Sequence, residues 1–171
     1  MPGPALPHRL LLAVVLVALP KCLLAQTSAD SAFAAVQTRG AEVMGVDQYT
    51  SHHVFEDLPD GGRIILVRDD TADAAGTGTI RAHLRAAADS FARGVFSDPA
   101  RVHAREVPGT ADLARLRDRI RYDVTDRAGG AELRITTLDS AAIAAVRRFL
   151  AFQREDHHAA AHEGMEHEHT P

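Results

Sequence analysis

The chain has 171 residues and a formal net charge of −4, which suits a single domain. Its one cysteine (Cys22) and one lysine (Lys21) both lie within the first 25 residues. The remainder therefore offers no disulfide, thiol nucleophile, zinc–thiolate site, Schiff-base lysine or phosphate-loop lysine, and an acidic chain without a basic cluster is not suited to nucleic acid.

Residues 1–25 read as a secretory signal peptide. His8 and Arg9 precede the apolar run LLLAVVLVALP, and Leu23-Leu24-Ala25 supplies a small residue at the expected cut. The run is shorter than the roughly 20 residues that span a bilayer, so no membrane span is expected. Lys21 stands where lipid attachment at Cys22 would need a small residue, which favours simple secretion. Cleavage removes Arg9 and Lys21 but no acid, and the charge falls from −4 to −6. The mature protein is expected in the periplasm or outside the cell.

Residues 26–52 form an approach segment, with a short helix capped by Asp30 and ended by Gly40. Residues 53–68 predict a β-hairpin: HVFEDL, the turn LPDGG, and RIILVR, whose four consecutive apolar residues suit a central strand or one buried on both faces. After the loop DDTADAAG comes a helix capped by Thr77 or Thr79. Ile80, Leu84, Ala87, Ala88 and Phe91 make its stripe, Gly94 its stop, and Pro99 closes the unit. RVHAREVPG at 101–109 predicts an extended piece and a Pro-Gly turn, followed by a short helix over 110–118. A second hairpin shows strict alternation: Ile120, Tyr122 and Val124 against Arg119, Arg121 and Asp123, then Leu133 and Ile135 against Glu132 and Arg134. The last helix is capped by Asp139, with Ile143, Val146, Phe149, Leu150 and Gln153 inward. The expectation is an α+β fold, ββαββα, spanning 53–156: a four-stranded antiparallel sheet with two main helices on one face. Residues 157–171 are a tail rich in His and Glu.

Five of the ten histidines lie in that tail: His157, His158, His162, His167 and His169. Imidazole and carboxylate at this density suit copper, nickel or zinc better than calcium or magnesium. If the last helix continues through Ala161, His158 and His162 stand four apart on one face and can share an ion. The plainer alternative is a solvated acidic tail. Within the domain, His83 lies at the edge of its helix stripe and His157 on the continuation of the final one. If both helices cover the same sheet face, these two meet, and His53 and His103 can join them in a zinc- or copper-type site. The plainer reading of each is a half-buried ring bonded to backbone or carboxylate.

Catalytic patterns are thin. Glu56 and Asp57 are neighbours in a strand and point to opposite faces, a poor acid–base pair. Ser51 beside His52 lacks the nucleophile elbow. Arg119, Arg121 and Arg134 offer a charged row to an anionic partner, or serve solubility.

The segments GVDQYTSHHVFEDLPDGGRI, VHAREVPG and FLAFQREDHH resemble a group of short, uncharacterised exported bacterial proteins over roughly residues 40–158. Some of that group carry the automatic name aspartate carbamoyltransferase. This chain lacks the two large α/β domains and the Ser-Thr-Arg-Thr loop which that enzyme has. The resemblance implies a single exported domain. The reading that follows is an exported metal-binding protein for copper, nickel or zinc, acting in storage, buffering or delivery. The alternatives are a metal-free interaction domain that docks an envelope protein and, behind it, a small hydrolase or transferase.

Overall fold

The computed structural model describes residues 21–45 and 47–159, with side chains from residue 31 onward. A long helix α1 (Lys21–Met44) leads through a 3-10 turn into strands β1 (Ser51–Leu58) and β2 (Gly61–Arg68). Helices α2 (Ala74–Ala92), α3 (Ser97–His103) and α4 (Thr110–Arg115) follow, then β3 (Ile120–Arg127), β4 (Gly130–Thr137) and α5 (Ser140–Asp156). The four strands form one antiparallel sheet in the order β1-β2-β4-β3. The fold is α+β, with the expected hairpin–helix–hairpin–helix frame.

The two hairpins meet through their second strands, with Ile64 opposite Leu133 at the centre. The register reads the same from either hairpin: Gly61 faces Thr136 and Val67 faces Gly130. Helix α5 packs on β1 and β2, and α2 packs on β3 and β4, so each helix covers the hairpin it does not follow. Phe55, Ile64, Leu66, Leu133 and Ile135 fill the covered face together with Ile80, Leu84, Val146, Phe149 and Leu150 from the helices. β2 is central, as its apolar run predicts, but only one of its faces is covered: Ile64 and Leu66 are buried while Ile65 and Val67 are half-exposed. The open face carries ion pairs. Arg63 bridges Glu56 (2.5 Å) and Glu132 (3.8 Å), and Arg121 holds Asp123 at 2.6 Å.

Two glycines set close approaches. A Cβ on Gly61, whose φ is +139°, would overlap the Ile135 carbonyl oxygen of β4. One on Gly109 (φ +88°) would overlap the Ala145 carbonyl oxygen, so glycine lets the start of α4 lie against α5.

Several sequence expectations are corrected. Helix α1 begins before Asp30 and passes through Gly40, ending only where Gly45 turns at φ +73°. Asp30 is therefore inside the helix and not its cap; Gly40 is buried in contact range of Gln48 and Met44, and packing overrides its stop signal. The cap of α2 is Asp73, which accepts from Gly76 N at 2.9 Å, so Thr77 and Thr79 lie inside the helix. Pro99 does not close a unit: it occupies the first turn of α3, where its missing N–H costs nothing. The stretch expected to be extended at 101–109 begins as the end of that helix. Finally, α5 stops at Asp156. His158, at φ +49°, lies beyond the helix, and the expected pairing of His158 with His162, like His167 and His169, falls outside the described residues.

Candidate metal centre

Four elements bring one imidazole each to the wall of a single pocket of about 70 Å³: His53 from β1, His83 from α2, His103 from the last turn of α3 and His157 from the C-cap of α5. The covered sheet face explains His53, which is on the same side of β1 as Phe55; their rings stack with centroids 5.4 Å apart. His157 lies over both, 4.9 Å from His53 and 5.6 Å from Phe55. His103 meets His157 edge-on at 5.1 Å. α1 completes the wall through Val43 and Met44, anchored by Arg39, whose Nε donates to the Val102 carbonyl of α3 at 2.6 Å. The approach segment is thus part of the site, and every contact named for it lies beyond the expected cleavage after Ala25.

The rings differ in how they are held. His103 is 5% exposed. Its Nδ1 is 2.5 Å from Asp156 Oδ2 and its Nε2 2.7 Å from Gln153 Oε1, so both nitrogens have partners. Asp156 is itself held by Arg105 at 2.6 Å. This is the carboxylate-to-imidazole support that fixes a ring's orientation. For His53, His83 and His157, by contrast, burial dominates. It holds His53 well below the usual histidine range, with the neighbouring His157 adding to the effect. Burial lowers His83 against the opposing pull of Asp98. It pushes His157 down to about 4, with His103 adding and Asp156 opposing. At neutral pH these three rings are uncharged, and each keeps a bare nitrogen lone pair, the state a metal ligand requires.

The spacing can be set against coordination geometry. Two imidazoles bound to one tetrahedral ion, with metal–nitrogen bonds near 2.0–2.1 Å, place their ring centroids roughly 5 Å apart. The His53–His157 and His103–His157 separations are of that size. Among the described residues no group of three or more His, Cys, Asp or Glu side chains is already arranged to hold an ion. Coordination would need ring rotations, and for His103 the release of Gln153.

The remaining candidates lie elsewhere. His52 points to the other side of β1 and pairs with Asp69 (2.8 Å). His158 stacks on Phe33 of α1, with centroids 4.2 Å apart. Glu56 and Asp57 do face opposite ways, to Arg63 and to Arg154. Arg119, Arg121 and Arg134 are paired with Asp139, Asp123 and Asp60, which leaves none of them an unpaired cation for an anionic partner. Sequence reasoning counted Asp156 only among the carboxylates around the C-terminal histidines, gave no role to Asp98 and placed Gln153 only as a stripe residue. The available signal was Gln153 itself: a glutamine on an apolar stripe is a buried amide that requires a partner.

No protein-family model, no curated protein and no solved structure matches the chain. The functional reading therefore stands on geometry and chemistry.

Proposed function

We infer that this protein binds a borderline-soft divalent or cuprous ion, zinc, copper or nickel, at the imidazole cluster of the domain, for storage, buffering or delivery outside the cytoplasm. His53 and His157 are the first two ligands, His83 the third, and His103 joins them or supports them through Asp156. One observation carries the reading: four imidazoles from four elements converge on one small pocket, and burial keeps three of them neutral. An all-nitrogen donor set of this kind selects Zn, Cu or Ni over oxygen-seeking Ca or Mg. The tail histidines His162, His167 and His169 would add a second, weaker site.

Calorimetric titration of the chain without residues 1–25 tests this against two variants: one ending at Ala159, and the double substitution His53→Ala/His157→Ala. The expected result is binding retained by the shortened chain and weakened at least tenfold by the double substitution. Binding lost only on shortening would move the site to the tail, and no binding in any form would leave the second reading. That reading is a metal-free envelope interaction domain. It is favoured by the uncovered sheet face, where Val54, Ile65 and Val67 stand half-exposed between ion pairs.

A further inference from the structure

The two edges of the sheet are finished differently. β1 is closed along its outer side: Arg154 Nη1 donates to the Phe55 carbonyl at 3.0 Å, and the same guanidinium holds Asp57 at 3.1 Å. A cation over an edge carbonyl blocks the addition of a further strand there. β3 is the opposite edge. Among the described residues, side chains bond to its backbone only beside its start and at its end, Thr137 Oγ1 to the Arg119 carbonyl and Arg81 Nη2 to the Arg127 carbonyl. The register shows which groups are left. The two-residue turn Ala128-Gly129 makes Arg127 and Gly130 a hydrogen-bonded pair, so Thr125, Asp123 and Arg121 also bond to β4. The N–H and C=O of Tyr122 and Val124 therefore point away from the sheet. Ile120 adds its carbonyl, its N–H being held by the Arg117 carbonyl. On the covered face Tyr122 and Val124 pack against the core but stay half-exposed. On the open face the side chains of Arg121 and Asp123 are 77% and 44% exposed.

We propose that β3 pairs antiparallel with β3 of a second copy of this chain, about a two-fold axis through Tyr122, so that one sheet runs through both copies. The strand's own sequence selects that partner and that register. Centred on Tyr122, the pairing sets Arg121 opposite Asp123 of the second copy on the open face and Ile120 opposite Val124 on the covered face, and the symmetry repeats each pair. Tyr122 exchanges both backbone bonds with its symmetry mate, and each Val124 N–H meets an Ile120 carbonyl. Neighbouring registers fail. Centring on Arg121 or on Asp123 opposes like charges, centring on Val124 sets Arg121 against Arg127, and centring on Thr125 sets Val124 against Asp126. A strand of unrelated sequence meets the same backbone groups without this reciprocal charge pattern.

Sedimentation equilibrium of the chain without residues 1–25 should show a dimer at about 100 μM. Arg121→Asp and Asp123→Arg each set like charges opposite one another and should weaken self-association at least about tenfold. An equimolar mixture of the two variants should restore a dimer, because every charge then meets its opposite. Cysteine substitution reads the register, since residues 26–171 contain none. Arg121→Cys mixed with Asp123→Cys should give a disulfide-linked heterodimer under mild oxidation, while neither variant alone links to itself. A monomer at about 100 μM overturns the proposal, as does self-association indifferent to both charge changes. If either charge variant does not fold, the cysteine mixture decides: no link between the two variants, or self-linking as efficient as cross-linking, overturns the pairing.

Discussion

His103 and His157 show what one residue's surroundings do to the same ring. His103 is clamped at both nitrogens by Asp156 and Gln153, whereas His157 is desolvated and lies against two further imidazoles. The consequence for His157 is a pH dependence of stability. The unfolded ring takes a proton near pH 6.5 and the folded one only near 4. Above pH 6.5 both states are neutral and nothing is lost. As the pH falls from 6.5 to 4 the unfolded state gains protons first, so stability declines across that window, and His53 and His83 act in the same direction. Urea midpoints measured from pH 7.5 to 4.5 should fall, and His157→Gln should flatten the slope. An unchanged slope would mean that the ring is not desolvated. Metal affinity should drop over the same range, because protons compete for the lone pairs. For His103, substitution by Ala removes a buried ring and leaves the Gln153 amide without its ring partner, while Asp156 keeps Arg105. The substitution should cost about 2–4 kcal/mol by urea titration.

At the level of elements, glycine placement separates packing from propensity. Gly61→Ala sets a methyl against the β4 backbone in a left-handed conformation and should destabilise the protein by more than about 2 kcal/mol. Gly78, inside α2, has open space around its would-be Cβ. Gly78→Ala should stabilise by about 0.5–1 kcal/mol, since a helix interior favours alanine. Thermal melts of the two variants should move in opposite directions. The same contrast explains which element boundaries were legible. Asp139 caps α5 as read, accepting from Ala141 N and Ala142 N, because the cap and its helix are local. The end of α1 was misread because Gly40 is a stop signal in sequence and a packing contact in the fold.

For the molecule as a whole, the sheet is two hairpins related by an approximate two-fold, and the site is where they differ. His53 is the third residue of β1 and Tyr122 the third of β3. His157 covers His53, and Phe91 covers Tyr122 at 5.9 Å. His157 and Phe91 lie at the same distance along the chain from their capping aspartates, Asp139 and Asp73. One half thus carries paired imidazoles where the other carries an ordinary aromatic contact. Packing has no need of that difference, which supports the role proposed for the His53–His157 half. His83 reaches the same pocket from α2.

Strand alternation, turn residues, helix stripes and capping aspartates are short-range patterns. The sequence alone therefore determined the α+β class and the two hairpins with their following helices. Only the tertiary structure decided that the helices cross over, that α1 and α3 wall the pocket, and that His53, His83, His103 and His157 share it. Convergence of side chains so distant in the chain depends on how helix faces meet a twisted sheet, and no local period encodes that.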